Sequence, residues 1–277
     1  MSFVARKFPA GTLELLRANL PRGDFRAALF DFDGTLSLLR EGWPRVMTDL
    51  MREAAERAGV HAPLDQVIES IVVGLNGKPT IVQMTRFAEE MVARGGRPAT
   101  ATDYAAEYQI RLLGMIRDRY DAIRSGRASA ADWSVPGSGA LLSSLRDRGV
   151  LLVLASGTEV THVRREADLL GLTPYFSEHL YAPSGDDANF SKRAIVERLL
   201  RDHGLRGVEL IGFGDGVVET EEVRRAGGVA VAVASAEPPE RGLNAWKRDR
   251  LVRAGADIVI LDYSDHERWL PWLFGEE

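Results

Sequence analysis

The chain has 277 residues, of which 45% are hydrophobic, and this length allows one large domain or two unequal domains with a full core. Its formal net charge of −5 gives no general attraction to nucleic acid or to an anionic membrane surface. Because of this charge balance, we consider chemistry on a small molecule first. The absence of cysteine excludes disulfides, thiolate metal sites and cysteine nucleophiles.

The first half of the chain changes from a strand pattern to a helical pattern. Residues 12–20 predict a short helix, and the apolar run AALFDFD at residues 27–33 is typical of a buried strand that ends in the turn GTL. From residue 41 to residue 120 the apolar residues recur every three or four positions, which predicts helices throughout. We interpret this block as a helical insertion after the first strand.

After the turn sequence VPGSG, at residues 135–139, strands and helices alternate. The predicted strands are residues 150–156, 179–182, 208–215, 229–235 and 256–264, and the predicted helices are residues 140–149, 159–171, 192–204 and 221–228. This alternation predicts an α/β fold with a parallel sheet covered on both faces. We expect a sheet core of residues 1–38 and 135–277, with an all-helical domain of residues 39–134 inserted into it.

Acidic side chains follow two of the predicted strands. Asp31 and Asp33 close the first strand, and Asp215 and Glu219 follow a later one. Ligands bind beyond the carboxyl ends of the strands in open α/β sheets, so we expect these acids to converge there. They would repel one another unless a cation neutralised them, and oxygen ligands of this kind suit Mg²⁺.

The same edge of the predicted sheet offers groups for an anion. Ser156 closes the second predicted strand, and the backbone N–H groups of Gly157 and Thr158, at the expected start of the next helix, can hold an anion. Lys192 opens a further helix and adds a positive charge. Acids with a divalent metal, an anion cradle and a lysine predict a site for a phosphoryl group.

Four motifs in chain order, DFDGT, a serine that closes a later strand, a lysine that starts a helix, and GDGxxE, resemble those of the haloacid dehalogenase (HAD) superfamily, chiefly its phosphatases. The resemblance covers roughly residues 27–36 and 135–235, and it implies a Rossmann-like core and an aspartyl-phosphate mechanism. Dehalogenases and phosphonate-cleaving relatives typically lack a carboxylate at the position of Asp33. The resemblance therefore favours phosphate-ester hydrolysis or phosphoryl transfer.

The resemblance also implies a role for each catalytic residue. Asp31 is expected to be the nucleophile that attacks phosphorus. Asp33 is expected to protonate the leaving oxygen and then to activate water. Lys192 would hold both Asp31 and the transferring group, and Ser156, with Gly157, would bind phosphate oxygen.

The resemblance implies that Mg²⁺ is held by Asp31, the backbone carbonyl of Asp33, and Asp215. The family often has an aspartate where this chain has Glu219. Glutamate is one methylene longer, which leaves three arrangements open for Glu219. It ligates the metal directly, acts through a water, or only pairs with Lys192.

The insertion at residues 39–134 resembles the helical cap of phosphoglycolate phosphatase and β-phosphoglucomutase, and such caps close over the site and contact the substrate. We expect a specificity loop at residues 74–80, GLNGKPT, in which Lys78 contacts a substrate anion or hydroxyl. A solvated Lys78 is the alternative. Arg40, Glu41 and Trp43 lie where a flap could touch substrate, with a packing or surface role as the alternative.

The combined prediction is a Mg²⁺-dependent phosphatase of a small phosphorylated metabolite, a sugar or polyol phosphate, that acts through an aspartyl-phosphate intermediate. The alternatives are a phosphomutase on the same core and a non-catalytic HAD-fold binding module. We expect no nucleic-acid or membrane partner, and a homodimer stays open. The sequence shows neither a secretory signal nor an apolar run of the length that spans a membrane, so we expect a cytoplasmic protein.

Overall fold

The computed structural model of the protein describes residues 13–76, 78–184, 190–236 and 242–276. Within these residues seven strands form one sheet: β1 (Glu14–Leu15), β2 (Ala27–Phe30), β3 (Leu151–Ala155), β4 (Leu180–Tyr181), β5 (Leu210–Gly214), β6 (Val229–Val233) and β7 (Ile258–Ile260). The α-helices of the described residues are α1 (Trp43–Arg57), α2 (Asp65–Gly74), α3 (Thr80–Ala93), α4 (Ala101–Arg124), α5 (Ser138–Asp147), α6 (Val160–Leu169), α7 (Thr173–Phe176), α8 (Lys192–Asp202), α9 (Val217–Arg225), α10 (Ala245–Arg253) and α11 (His266–Leu273).

The strands lie in the order β1-β7-β6-β5-β2-β3-β4, and all neighbours are parallel except β1 and β7. The central strand β2 pairs with β3 on one side and with β5 on the other, and Phe30 lies opposite both Leu154 and Phe213. The three strands therefore end at the same edge. The structure confirms the predicted α/β fold, with a Rossmann-like parallel sheet and a helical cap.

The sheet is buried on both faces because its strands are apolar on both faces. Ala28 and Phe30 of β2 belong to the larger hydrophobic core, whereas Ala27 and Leu29 belong to a second core on the opposite face. This division follows from the two-residue period of a strand. Helices α8 and α9 cover the second core, to which they contribute Val196, Leu199 and Val223.

The helical block between β2 and β3 consists of α1 to α4, as the three- and four-residue spacing predicts. Its buried residues share one interior: Met47, Leu50, Met51 and Ala54 of α1; Ile68, Ile71 and Val72 of α2; Met84, Phe87 and Met91 of α3; Tyr104, Tyr108, Leu112 and Ile116 of α4. The two connections to the sheet run side by side, since the Leu38 N–H donates to the Trp133 carbonyl (2.8 Å) and the Val135 N–H to the Leu36 carbonyl (3.0 Å). The predicted boundaries at 39 and 134 fall beside this pairing and stay a prediction.

The predicted helix at residues 12–20 is wrong within the described residues, which begin at residue 13. Glu14 and Leu15 form β1 instead, antiparallel to β7, and the Leu16 N–H donates to the Asp257 carbonyl (2.9 Å). Pairing with the sheet outweighs the local helical preference of this segment. Helices α10 and α11 were not predicted. Among the described helices, none is both long and apolar enough to cross a membrane.

Candidate active site

The carboxyl ends of three adjacent strands bring the predicted site residues together. Asp31 directly follows β2, Ser156 directly follows β3 and Asp215 directly follows β5. The Asp31 N–H donates to the carbonyl of Phe213 (3.0 Å), which fixes the first acid beside the end of β5. Lys192 is the first residue of α8, where the sequence predicts it.

Asp31, Asp215 and Glu219 form a buried cluster of carboxylates. One oxygen from each lies within 4.8 Å of the others. Burial raises the pKa of Asp31 well above its usual range against the opposing charge of Lys192, and the charges of Glu219 and Asp215 add to the rise. The cluster therefore requires positive charge nearby if all three carboxylates are to be ionised.

Lys192 supplies part of that charge. Its ammonium donates to Asp31 Oδ1 (2.6 Å) and to Glu219 Oε2 (2.9 Å), and the side chain is almost fully buried. Burial opposes the charged form of Lys192, but the two carboxylates outweigh it and hold its pKa above the ordinary value. Burial likewise opposes ionisation of Glu219, whose pKa Lys192 lowers. Of the arrangements left open for Glu219, the pairing with Lys192 is present.

A second buried lysine, Lys247 of α10, pairs with the third acid. Its ammonium lies 3.0 Å from Asp215 Oδ2. Arg250, one helical turn later, donates to the backbone carbonyls of Asp215 (3.2 Å) and of Val73 at the end of α2 (3.3 Å). Helix α10 thus contacts both a predicted metal ligand and the cap. The sequence analysis missed Lys247 and Arg250 because it missed α10.

Glycines make room for these acids. Gly34, in the DFDGT motif, has φ +77°, and a Cβ there would collide with the carboxylate of Asp215. A Cβ on Gly214 or Gly216 would collide with the side chain of Glu219. Gly214 and Gly216 therefore leave room for the carboxylate of Glu219.

Asp33 lies beside the cluster in a different set of contacts. Its Oδ2 accepts a hydrogen bond from the Thr158 hydroxyl (2.8 Å), and its Oδ1 lies 3.7 Å from Nε of Arg40. Burial raises the pKa of Asp33 to about 6 against the opposing charge of Arg40. Arg40 itself forms an ion pair with Glu166 of α6. The sequence analysis gave no role to Glu166 or to the Thr158 hydroxyl.

The predicted anion cradle differs in one respect from the structure. The helix after β3 begins at Val160, so Gly157 and Thr158 lie in the turn before it. The Thr158 N–H donates to Ser156 Oγ (3.1 Å). This N–H is therefore already used, and the expectation that it lies at a helix N-terminus with Gly157 is wrong, because Glu159 is the residue that caps α6.

A cavity of about 60 Å³ connects the sheet edge to the cap. Asp31, Asp33, Ser156 and Gly157 line its core side, and Lys78 lies among its cap-side residues. Lys78 is exposed, so it reaches this cavity from the solvent side. These five predicted site residues therefore line the same cavity.

Comparison with known proteins decides the family. The sequence matches the family model for haloacid dehalogenase-like hydrolases over residues 25–227. The chain belongs to this family. A search of curated proteins gives no significant match to this HAD hydrolase.

Solved structures share the fold of this HAD hydrolase. β-Phosphoglucomutase from Clostridium difficile matches it with a TM-score of 0.62 and 14% identity, over 91% of this chain and 98% of that one. A predicted phosphoglycolate phosphatase from Haemophilus somnus matches with a TM-score of 0.57 and 15% identity, over 89% and 98%. A haloacid dehalogenase-like protein of unknown function from Agrobacterium tumefaciens matches with a TM-score of 0.59 and 20% identity, over 90% and 98%. At these identities the likeness concerns the fold.

The donor set of this HAD hydrolase fits Mg²⁺. Its clustered groups are carboxylates, the hard oxygen ligands that Mg²⁺ takes. With the cluster and Asp33 all ionised, the four carboxylates carry four negative charges, whereas Lys192 and Lys247 carry two positive charges. Arg40 is offset by Glu166. In that state two negative charges remain, which a divalent cation would neutralise.

Proposed function

We propose that this HAD hydrolase is a Mg²⁺-dependent phosphatase of a small phosphorylated metabolite, a sugar or polyol phosphate, and that Asp31 is its nucleophile. The observation that supports this most strongly is the contact of Asp31 with a buried lysine, inside a carboxylate cluster at the carboxyl edge of the sheet. A nucleophile for phosphorus must approach an anion, and Lys192 supplies the charge that makes this approach favourable.

The reaction proceeds in two displacements. First, a carboxylate oxygen of Asp31 bonds to phosphorus while the bond from phosphorus to the leaving oxygen breaks, and that oxygen takes its electron pair and the proton of the Asp33 carboxyl group. The products are an alcohol and a phosphoryl group on Asp31. Next, the Asp33 carboxylate takes a proton from water as the water oxygen bonds to phosphorus. The bond between Asp31 and phosphorus breaks, which releases inorganic phosphate.

The remaining residues hold the charges in place. Asp31, Asp215 and the backbone carbonyl of Asp33 would hold Mg²⁺, with Glu219 as the adjoining acid, and the ion would supply charge neutralisation at the transferring phosphoryl group. Lys192 keeps Asp31 aligned and contacts the same group. Ser156 lines the cavity beside Asp31 and would bind a phosphate oxygen.

A second cavity supports a hydroxylated leaving group. It has a volume of about 230 Å³ and shares Arg40, Thr80, Gly157 and Thr158 with the smaller cavity. Its lining is mostly uncharged, and it includes Gln109, whose buried Nε2 has no hydrogen-bond partner among the described residues. An amide donor of this kind suits a hydroxyl oxygen of a sugar or polyol. Lys78, at the smaller cavity, would contact a further hydroxyl or anion.

A panel of phosphorylated sugars, polyols, nucleotides and short acids, assayed for phosphate release with Mg²⁺ and with chelator, tests this proposal. We expect release from a sugar or polyol phosphate that depends on Mg²⁺, and a loss of about 10³-fold or more in Asp31→Asn. Normal rates in Asp31→Asn would refute the assignment of the nucleophile. A phosphomutase, the activity named for the Clostridium difficile structure, would use the same residues and would instead require a bisphosphate for turnover.

A further inference from the structure

Arg40 lies buried between the acid–base residue and a second carboxylate. Its Nε donates to Glu166 Oε2 (2.9 Å) and its Nη2 to Glu166 Oε1 (2.7 Å), a bidentate pair in which Glu166 has no exposed surface. The same Nε lies 3.7 Å from Asp33 Oδ1. Among the described residues, Asp33 Oδ1 has no hydrogen-bond partner, so the guanidinium is the cation that faces it.

The cap holds this pair from a third direction. The hydroxyl of Tyr120, in α4, donates to Glu166 Oε1 (2.5 Å). The guanidinium of the preceding residue, Arg119, donates to the backbone carbonyls of Leu39 and Glu41 (2.9 Å each), on both sides of Arg40. One helix of the cap therefore fixes both the backbone of Arg40 and the partner of its side chain.

Stability alone is a weak reason for such an arrangement. Removing an arginine and a glutamate from water costs several kcal/mol each, and well-packed apolar residues often give equal or greater stability. The fork of a guanidinium does, however, fix direction, because it binds a carboxylate through two parallel hydrogen bonds. Here that fork directs Nε and Nη2 to Glu166 and leaves Nε 3.7 Å from Asp33 Oδ1, so Glu166 sets how closely the guanidinium charge approaches Asp33.

We propose that Arg40 is a positioning residue for Asp33, and that Glu166 and Tyr120 hold Arg40 in register when the cap is seated on the core. This inference rests on the proposed phosphatase function, in which Asp33 gives its proton to the leaving oxygen. The Thr158 hydroxyl holds Oδ2 of Asp33 by a hydrogen bond, and the charge of the Arg40 guanidinium attracts Oδ1. An Asp33 that loses Arg40 turns away from the leaving oxygen more often, and proton transfer slows.

Comparing substrates with different leaving groups distinguishes a positioning role of Arg40 from a merely structural role, which would lower activity on both equally. Nitrophenolate is a weak base and departs without a proton, whereas an alkoxide must be protonated as it leaves. General acid catalysis is worth about 10²–10⁴-fold where it is needed. The ratio kcat/KM covers only the steps up to release of the alcohol, so it isolates the displacement in which the leaving group needs a proton. Arg40→Lys and Glu166→Gln should therefore lower kcat/KM at least about tenfold more on an alkyl phosphate that the wild type hydrolyses than on p-nitrophenyl phosphate.

Three variants complete the experiment. Arg164→Lys alters an exposed arginine of α6, two residues before Glu166, and it should affect both substrates equally. Asp33→Asn removes the proton donor, so adding Arg40→Lys to it should cause no further selective loss. Thermal unfolding identifies variants that lose structure. Tyr120→Phe keeps the Arg40–Glu166 pair, so its selective loss of activity on the alkyl phosphate should be smaller than that of Arg40→Lys.

The outcomes separate the two proposals. A selective loss on the alkyl substrate that vanishes in the Asp33→Asn background supports the positioning role. An equal loss of kcat/KM on both substrates in folded Arg40→Lys overturns it and leaves the phosphatase function intact. A wild-type protein without Mg²⁺-dependent phosphatase activity overturns the proposed function, and this inference with it.

Discussion

Replacing Lys192 with methionine removes one buried positive charge and keeps a similar side-chain volume. In the wild type this ammonium bonds to Asp31 (2.6 Å) and to Glu219 (2.9 Å), and 2% of the residue is exposed. The variant leaves both carboxylates buried without that partner. Removing one member of a buried ion pair costs about 3–5 kcal/mol, and here the two acids left behind also repel each other. We therefore expect the metal-free protein to lose at least about 3 kcal/mol of unfolding free energy.

Thermal unfolding in chelator measures this loss. At roughly 2–4 °C per kcal/mol for a large domain, Tm should fall by about 6–20 °C. Saturating Mg²⁺ should raise Tm of Lys192→Met more than Tm of the wild type, because the ion neutralises the same carboxylates that have lost their lysine.

Lys78→Met is the matched control, since it removes the same charge from an exposed side chain at the cavity that Asp31 lines. It should change the unfolding free energy by about 0.5 kcal/mol or less. A Lys192→Met protein that is as stable in chelator as this control would refute the reasoning. Equal stabilisation of wild type and Lys192→Met by Mg²⁺ would show that lysine and metal do not share the acids.

Two further substitutions test the cavity and the charge balance. Lys78→Ala should raise KM for a sugar phosphate about five- to tenfold and change KM for p-nitrophenyl phosphate less, as steady-state kinetics would measure; equal effects would exclude a specificity role. Lys247→Met removes one positive charge that lies 3.0 Å from Asp215. Loss of a unit positive charge within a few ångströms of a divalent ion is worth more than about 1 kcal/mol. Titration calorimetry should therefore show tighter Mg²⁺ binding, about tenfold or more; weaker binding would mean that Lys247 acts chiefly by orienting Asp215.

The predictable part of the site follows from local rules. Asp31, Ser156 and Asp215 each follow an apolar run, and parallel strands end at one edge, so the sequence alone places them together. Lys192 is predictable because it opens an amphipathic helix. The order of the motifs adds the resemblance to the HAD superfamily. None of this depends on how distant helices pack.

The residues that the sequence analysis missed depend on such packing. The sequence places Arg40 near the site, but its partner Glu166 lies 126 residues away, and a single sequence carries no signal that pairs them. Helix α10 is different, because Asn244 caps its N-terminus and Gly255, with φ +96°, follows its C-terminus. Those two residues are start and stop signals that could have revealed the helix. The contact of Lys247 with Asp215 depends on how α10 packs against the sheet, which the local sequence does not indicate.

The error at the N-terminus has the opposite cause. Residues 12–20 contain good helix formers, yet Glu14 and Leu15 join the sheet next to β7. Both carboxylate oxygens of Glu14 accept hydrogen bonds from Arg248 of α10, and Arg17 pairs with Asp257. These contacts come from segments more than two hundred residues away, so local propensity could not indicate them.

The outermost strands of the sheet bear on how copies of this chain meet. In the described residues β1 and β4 are each two residues long, and β1 runs against the direction of its neighbour. Long, flat outer strands are templates for intermolecular pairing, and short ones present few free N–H and C=O groups to a second chain. Self-association by continuing the sheet from one molecule into the next is therefore disfavoured, and a homodimer would have to use side-chain surfaces instead.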